Sequence, residues 1–333
     1  MRIWFNRGFS LAPIAAAMRD ADPTLEVFVS VGQNQPRYDG PSATLVEPED
    51  SEAAYIDWVR ETIAANAIDI FIPTRRRSLI AGAELDCRVE LPAAIATLDL
   101  LDDKFAFAAA IAGTAYHLET RLITSSAALE QAIATFRETG PAGAKPCVKP
   151  RKGVNGHGFW RLTQDRPMSH LDNPDSRRIT ETLYIAAAAA AEKAGALEDL
   201  VLMEYLPGPE VSFDMLADKG VLLKFAARTK LPGGVQHIQT DHFLAPAAAA
   251  LVERFALHGV VNAQFRRAAD GSWKLLEINS RPAGGILYSE QVGCGLLADW
   301  SALLTGRKHA AQVSRPSIDT QIRLTTIAAQ IAA

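Results

Sequence analysis

The sequence predicts a mixed α/β fold, in which a parallel α/β domain comes first and a region with antiparallel sheets follows. In the first 98 residues, short apolar runs that favour strands alternate with helical patterns, as is typical of a parallel, doubly wound sheet. Near the C-terminus, two β-rich runs flank Asp270-Gly271, and this dipeptide is a strong hairpin signal. The chain has 333 residues, about two domains' worth.

The N-terminal elements alternate between strand and helix. The predicted strands are Arg2 to Phe5, Leu25 to Val31 and Ile68 to Pro73, and the predicted helices are Leu11 to Arg19 and Tyr55 to Ala65. Ligands of such sheets bind beyond the carboxyl ends of the strands, which here are the segments 6–10 and 74–78. The second segment contains Arg75, Arg76 and Arg77, which could hold an anionic substrate or could be solvated surface charge.

A glycine-spaced loop is the main feature of the middle region. The surrounding elements are predicted helices at Ala106 to Ile111 and Ser126 to Glu138, and predicted strands at Pro146 to Lys149 and Phe159 to Leu162. Backbone N–H groups at Gly153, Gly156 and Gly158 can approach phosphate oxygens closely, and Lys149 precedes them. Because this loop leads into a strand, it differs from dinucleotide and Walker loops, which open a helix. A plain hairpin turn is the alternative.

A second signal comes from the segment that begins as a buried strand at Val201 and leaves it through Pro207-Gly208. A strand that stops at proline leaves backbone groups free to bind an adenine edge. Glu210, just beyond, could accept hydrogen bonds from ribose hydroxyls. A kinked strand with two surface carboxylates is the alternative interpretation.

The C-terminal hairpin predicts a metal site. If residues 270 and 271 form a two-residue turn, Gln264 lies opposite Glu277, and Asn279 shares their face. Such an oxygen-rich set suits Mg²⁺, which takes few protein ligands and completes its shell with water and phosphate. An amphipathic hairpin with one wet face is the alternative.

Taken in order, these parts resemble the ATP-grasp superfamily, and most of all its carbamoyl-phosphate synthetase large-subunit and carboxylate–amine ligase branch. The parts are Lys104, Lys149 with its loop, the hinge from Met203 to Glu210, Gln264, and Glu277 to Arg281. The resemblance covers about residues 98–305, and residues 2–86 resemble the α/β domain that precedes it in the family. It implies a pre-ATP-grasp domain at 1–98 and an ATP-grasp domain at 99–333, with lobes of about 99–200 and 201–333.

The resemblance also implies an activity. An ATP-dependent ligase of this kind converts a carboxylate into an acyl phosphate, which an amine or similar nucleophile then attacks, so that ADP and phosphate are released. Two other classes stay open, namely a small-molecule kinase on the same scaffold and a nucleotide-binding module without turnover.

Matching positions receive roles from the resemblance. For the nucleotide, it implies phosphate contacts from Lys104, Lys149, Gly153, Gly156 and Gly158, adenine contacts, mainly by backbone, from Glu204, Tyr205 and Leu206, and a ribose contact from Glu210. For the metal, it implies that Mg²⁺ or Mn²⁺ is held by Gln264, Glu277 and Asn279. For catalysis at the transferred phosphate, it implies a role for Arg281, with Lys149 and Asn279.

Substrate residues are less specific. The segment 229–237 reads as a flexible loop between two strands, and Arg228, Lys230 and His237 are candidates for holding an anionic substrate, or are plain loop charge. His157 is predicted to cover the phosphates rather than to transfer a proton, because a general base must be held within hydrogen-bond reach.

Composition limits the partners. The formal net charge of −4 gives no reason to expect nucleic acid. The sequence contains no run of 18 apolar residues, and its start does not resemble a signal peptide, so no membrane partner is expected. Three well-separated cysteines indicate reduced thiols and a cytoplasmic protein. The resemblance implies small-molecule carboxylate and amine substrates and a homodimer.

Overall fold

A computed structural model of the chain describes residues 1–49, 51–153, 156–166, 168–323 and 325. The chain divides into two compact units. Unit 1 comprises Met1–Leu98, Val211–Ala263 and Ile278–Ala333, and unit 2 comprises Asp99–Glu210 and Gln264–Glu277. The domain bounds expected from the sequence, 1–98 and 99–333, stay a prediction.

The parallel sheet that the sequence predicts is confirmed in unit 1. Its strands are β1 (Arg2–Phe5), β2 (Glu26–Val31), β3 (Ala43–Val46), β4 (Ile70–Ile72) and β5 (Arg88–Val89). They lie in the order β3-β2-β1-β4-β5, and every neighbouring pair is parallel. The strand order reverses direction at β1, with β2 on one side and β4 on the other.

Helices pack on both faces of this sheet because the strands are apolar on both faces. Helices α1 (Leu11–Ala21), α2 (Glu52–Asn66) and α3 (Arg77–Ala81) belong to this region. Ile3 and Phe5 pack with α1, whereas Trp4, between them on β1, packs with Tyr55 and Val59 of α2. This alternation follows from the two-residue period of a strand.

Unit 2 contains the second sheet. Its strands are β6 (Thr120–Ile123), β7 (Pro146–Pro150), β8 (Trp160–Thr163), β9 (Arg178–Thr180) and β10 (Leu200–Glu204). The order is β6-β10-β7-β8-β9, antiparallel except for the parallel pair β8 and β9. Helices α4 (Ile95–Asp102) and α5 (Lys104–Ala110) precede β6, and α6 (Ser126–Thr139), α7 (Ser169–Asp172) and α8 (Glu181–Lys193) lie between the strands in sequence.

The third sheet carries the predicted hairpin. Its strands are β11 (Glu210–Asp218), β12 (Val221–Lys230), β13 (Val235–Gln239), β14 (Gly259–Arg267), β15 (Trp273–Asn279) and β16 (Asp319–Arg323), in the order β15-β14-β11-β12-β13-β16. Helices α9 (Ala245–Arg254), α10 (Ile286–Gln291) and α11 (Leu296–Leu304) follow β13 and β15. No described helix is long and apolar enough to cross a membrane.

Two local expectations are wrong. Gly271 donates its N–H to the Ala268 carbonyl at 3.1 Å, and Ala268 donates to the Ser272 carbonyl at 2.8 Å, so three residues rather than two form the hairpin turn. Gly271, at φ 87°, takes the left-handed conformation that this longer turn requires. The segment 229–237 is also not a single loop, because β12 extends to Lys230 and β13 begins at Val235.

Candidate active site

Lys104 and Lys149 come together in unit 2. Lys149 lies on β7 opposite Val201, on the sheet face that also carries Cys147. Lys104 opens helix α5 and donates its backbone N–H to the Arg151 carbonyl at 3.0 Å. Its Nζ donates to the Gly153 carbonyl at 2.7 Å, so this lysine reaches the start of the glycine loop.

Glu277 is the third charged group near Lys104. Burial lowers the pKa of Lys104, the Lys149 ammonium lowers it further, and the Glu277 carboxylate opposes both effects. Asp102 and Asp103, next to Lys104 in sequence, also raise its pKa, so the site combines two ammonium groups with carboxylates. Ammonium groups bind phosphate oxygens, and a carboxylate can bind a divalent cation.

Asp103 and Arg151 hold this arrangement in place. The sequence analysis did not predict this role for either residue. The Asp103 carboxylate caps α5 by accepting the N–H groups of Phe105 and Ala106, both at 3.1 Å. Arg151 pairs with it at 2.6 Å and with Asp199 at 3.0 Å. The start of α5 and the end of β7 are therefore tied together, and with them Lys104 and Lys149.

The described glycines of the loop take conformations that other residues rarely adopt. Gly153, Gly156 and Gly158 have φ values of 141°, 64° and 68°. A Cβ on Gly158 would lie 2.7 Å from the Pro150 ring. Val154 and Asn155, at the predicted tip of the loop, lie outside the described residues. His157 is exposed, and its covering role stays a prediction.

The face of the second sheet that carries Lys149 also borders a cavity of about 300 Å³. Polar side chains and the end of β10, where the hinge begins, line this cavity. The lining residues are Gly143, Ala144, Lys145, Arg161, Thr163, Arg178, Glu204, Tyr205, Pro207 and Ala269. Two predicted adenine residues, Glu204 and Tyr205, therefore line one cavity, and burial raises the pKa of the Glu204 carboxyl. Leu206 is 3% exposed and belongs to the apolar cluster beside them.

The backbone N–H group of Tyr205 is not available to a ligand in this cavity. The N–H donates to the Lys145 carbonyl at 2.7 Å, which leaves the Tyr205 carbonyl and ring. The Arg161 and Arg266 guanidinium carbons lie 4.8 and 5.6 Å from the ring centre. These cation–π contacts fix the ring.

The hinge after β10 is joined to the end of β14 by backbone hydrogen bonds. Gly208 donates to the Arg267 carbonyl at 2.9 Å, and Arg267 donates to the Pro209 carbonyl at 3.1 Å. A Cβ on Gly208 would lie 2.6 Å from that Arg267 oxygen, so only glycine fits. The predicted ribose residue, Glu210, lies 3.7 Å from Arg266, the same arginine that contacts Tyr205. Arg266 was missed by sequence reasoning, although it lies two residues after Gln264 and so shares its strand face.

The predicted metal ligands lie on the two hairpin strands. Gln264 is on β14, and Glu277 and Asn279 are two apart on β15, all three half-buried. Because Ala268 pairs with Ser272, counting from the three-residue turn places Leu276 opposite Gln264, so the predicted pairing of Gln264 with Glu277 does not follow from the turn. The described residues contain no group of three His, Cys, Asp or Glu side chains that could hold a metal by themselves. One carboxylate with two amide oxygens is nevertheless a chemically suitable set for Mg²⁺, because phosphate oxygens and water supply its other ligands.

Arg281 follows β15 in unit 1. Its guanidinium carbon lies 5.4 Å from the centre of the Phe9 ring, and its Nη1 donates to the Pro282 carbonyl at 3.2 Å. The neighbouring Ser280 hydroxyl accepts a hydrogen bond of 2.5 Å from Arg77. Two loops of the parallel sheet therefore contact this segment.

The remaining substrate candidates sit on strands. Arg228 is 5% exposed on β12, and its Nε lies 3.5 Å from the buried Asp214 carboxylate. It also donates to Gln236 and Ser212, both at 3.2 Å, so the expectation of loop charge at this position is wrong. On β13, His237 contacts Asp319 at 2.6 Å. Lys230 ends β12, and the substrate roles of these residues stay predictions.

The three cysteines are free thiols. Burial raises the pKa of Cys87 to about 11 and those of Cys147 and Cys294 to about 12. Such thiols are protonated and unreactive near neutral pH.

Comparison with known proteins gives one family match. Residues 196–329 match a family model described as ATP-grasp in the biosynthetic pathway with Ter operon. No curated protein matches the chain.

Several solved structures share the fold. The L-amino acid ligase from Bacillus licheniformis matches with a TM-score of 0.63 and 13% identity, covering 94% of this chain and 77% of that one. N5-carboxyaminoimidazole synthetase from Staphylococcus aureus, complexed with ADP, matches at 0.62 and 14%, covering 92% and 78%. The biotin carboxylase domain of Hydrogenobacter thermophilus 2-oxoglutarate carboxylase, complexed with MgADP, ADP and bicarbonate, matches at 0.64 and 14%, covering 92% and 69%.

The family match covers residues 196–329, and the structural matches show that the chain shares the fold of these proteins.

Proposed function

We propose that the protein is an ATP-dependent ligase that activates a carboxylate as an acyl phosphate and transfers the acyl group to an amine or a similar nucleophile. The observation that carries this proposal is the grouping of Lys149 and Glu277 around Lys104 at the start of the glycine loop. The structures of similar fold include an L-amino acid ligase and proteins complexed with ADP or MgADP, which supports the same class.

The nucleotide would lie along unit 2. Lys104, Lys149 and the N–H groups of the glycine loop would neutralise the phosphates, and the cavity at Glu204 and Tyr205 would take the adenine. Glu210, at the start of β11, would accept from the ribose hydroxyls. We assign the phosphate contacts to positioning and charge neutralisation, since phosphoryl transfer needs little other help from protein groups.

Gln264, Glu277 and Asn279 would hold Mg²⁺, which when bound supplies a Lewis acid for the phosphate oxygens. Arg281 would face the transferred phosphoryl group, because a guanidinium stays charged and matches its oxygens. Mn²⁺ is a substitute that this donor set also allows.

Two displacements complete the reaction. A carboxylate oxygen of the substrate attacks the γ-phosphorus, an O–P bond forms, and the bond to the bridging oxygen breaks so that ADP leaves. An amine nitrogen then attacks the acyl carbon, a C–N bond forms, phosphate departs, and the nitrogen loses a proton. The acyl phosphate makes the second displacement feasible, because phosphate is a far better leaving group than oxide.

The test is ADP release with pooled carboxylates, in the presence and absence of pooled amino acids and amines. We expect release that needs Mg²⁺ and both pools, and that falls by at least about a hundredfold in Glu277→Ala, as when a charge-stabilising contact is lost. Glu253→Ala, on helix α9, serves as a matched control for removing a carboxylate.

Hydroxylamine distinguishes the outcomes. It should trap an acyl hydroxamate when the amine pool is omitted, because it attacks acyl phosphates. ADP release with one pool and a stable phosphoester product would instead identify a kinase and contradict the ligase proposal. The cytoplasmic location and the homodimer stay predictions.

A further inference from the structure

The carboxyl edge of the parallel sheet holds a second cavity, of about 230 Å³, entirely within unit 1. It is bordered by the segments that follow β1, β3 and β4, where the strand order reverses, and such switch points are where ligands of parallel sheets bind. Its charged lining combines three guanidinium groups with two carboxylates, namely Arg7, Arg75, Arg76, Glu47 and Glu49.

Asn6 fixes the backbone around this cavity. The side chain is fully buried at the end of β1, and its Nδ2 donates to the Arg75 carbonyl at 2.8 Å. Its Oδ1 accepts the N–H groups of Thr74 at 2.6 Å and Arg75 at 3.2 Å. One side chain therefore ties the loop after β1 to the loop after β4, while the Arg75 side chain stays exposed at the cavity.

The other two arginines are anchored as well. The Arg76 guanidinium carbon lies 4.2 Å from the centre of the Tyr55 ring, and Arg76 is held at φ 52°, a left-handed conformation that non-glycine residues rarely adopt. Arg7 donates its N–H to the buried Glu47 carboxylate at 2.6 Å, and its Nη1 lies 3.8 Å from Glu49. Three like charges are thus kept beside one cavity by contacts that fix their backbone or side chains.

This lining fits an oxyanion on a larger molecule. Guanidinium groups bind carboxylate and phosphate oxygens with paired hydrogen bonds, and the three arginines exceed the two glutamates by one charge. At about 30 Å³ per water, the cavity of about 230 Å³ has room for about eight water volumes, more than a lone oxyanion fills. Glu47 and Glu49 would accept hydrogen bonds from an amine or hydroxyl of the same molecule.

The same loops contact the segment that carries Arg281. Phe9 lies against the Arg281 guanidinium, and Arg77 donates to Ser280. Gly284 approaches Ser10 so closely that a Cβ would lie 2.6 Å from the Ser10 hydroxyl. All these residues belong to unit 1, so the arginine cavity and the segment from Ser280 to Gly284 share their supporting loops.

We infer that this cavity binds the anionic group, a phosphate or a carboxylate, of one of the two molecules that the ligase joins. Its assignment to a substrate rests on the proposed function. The binding of an oxyanion by Arg7, Arg75 and Arg76 does not require nucleotide and is tested without it.

Calorimetric titrations with inorganic phosphate, phosphoserine and glutamate test the inference directly. We expect binding of at least one of these probes to the wild-type chain, weakened about tenfold to a hundredfold in Arg75→Gln, as expected for losing charged hydrogen bonds. Arg60→Gln removes an exposed arginine of α2 and should bind as the wild type does. Binding of phosphoserine but not glutamate would identify a phosphate site, and the reverse a carboxylate site.

The inference is overturned if no probe binds, or if Arg75→Gln and Arg76→Gln both bind the probes as tightly as the wild-type chain. Circular dichroism of each variant checks that the fold is retained. A titration of the same samples with MgATP separates the two proposals. If the wild-type chain binds an anion probe but not MgATP, the proposed function is contradicted and the anion site is not.

Discussion

Asp103 shows how a residue outside every motif can control a site. It caps the helix that begins at Lys104 and pairs with Arg151 at the end of β7, so it positions both candidate phosphate lysines. Burial raises the pKa of its carboxyl, but hydrogen bonds from Arg151 and from the Ala106 and Phe105 N–H groups outweigh burial, and the net pKa is lowered.

This lowered pKa predicts a pH dependence of stability. The native state favours the ionised carboxylate, so its contribution is present above the unfolded pKa and is lost as pH falls through the folded pKa. We expect Asp103→Asn to reduce the free energy of unfolding by about 1–2 kcal/mol near neutral pH, because the amide can still cap α5 but loses the charged hydrogen bond from Arg151. The deficit should shrink in urea titrations as pH falls below about 4, the ordinary pKa of an aspartate. A deficit that does not change with pH would contradict this, and Asp57→Asn in an exposed pair is the control.

Gly208 carries a second prediction at this scale. In Gly208→Ala the new Cβ would meet the Arg267 carbonyl oxygen at 2.6 Å, so the hinge must move away from β14. We expect a loss of about 1–3 kcal/mol in unfolding free energy, as for other overpacked sites, and weaker ATP binding. Gly82→Ala, whose Cβ would have contacts no closer than 3.6 Å, should be tolerated. Equal effects of the two substitutions on stability would refute the steric argument.

At the scale of elements, the segment 229–237 was predicted to be a loop, but most of it belongs to strands β12 and β13 or to the short turn between them. Pro232, Gly233 and Gly234 concentrate the loop signal, but they occupy only a short turn between the strands. Arg228 is buried because Asp214 lies beside it on the neighbouring strand β11. That pairing comes from tertiary contacts, and periodicity alone cannot reveal it.

The buried Arg228–Asp214 pair predicts a large effect on stability. Burial raises the pKa of Asp214, and the nearby Arg228 charge opposes that rise. Arg228→Leu leaves this buried carboxylate without its cation, and we expect a loss of about 3–5 kcal/mol in chemical denaturation. Arg60→Leu, which breaks the exposed pair with Asp57, should cost less than about 1 kcal/mol. An Arg228→Leu protein of wild-type stability would show that the pair does not hold the sheet together.

At the scale of the whole molecule, local patterns were sufficient for the parallel sheet, for the strands flanking the glycine loop and for the existence of the hairpin. Alternating apolar runs predict such strands directly. The strands β3, β5, β6, β9 and β16 were missed, because each has at most five residues and at most one buried residue, and so carries little hydrophobic pattern. The hairpin turn differs because Asp270-Gly271 also suits a three-residue turn, which ends with a glycine at positive φ.

Much of the candidate site was predictable because its residues cluster in short motifs. The order of Lys104, Lys149, Glu210, Gln264 and Glu277 along the chain predicts the fold that the solved structures share. The supporting residues Asp103, Arg151 and Arg266 were not predictable, since their partners are distant in sequence and their roles depend on packing.

The central claim is that Lys104, Lys149 and Glu277 form a site for MgATP. Isothermal titration calorimetry with ATP, with and without Mg²⁺, tests it most directly. We expect Mg²⁺-dependent binding that weakens at least about tenfold in Lys149→Ala and loses its Mg²⁺ dependence in Glu277→Ala, while Lys193→Ala on helix α8 binds normally. Absence of ATP binding by the wild-type chain, or binding unchanged in both site variants, would contradict the claim.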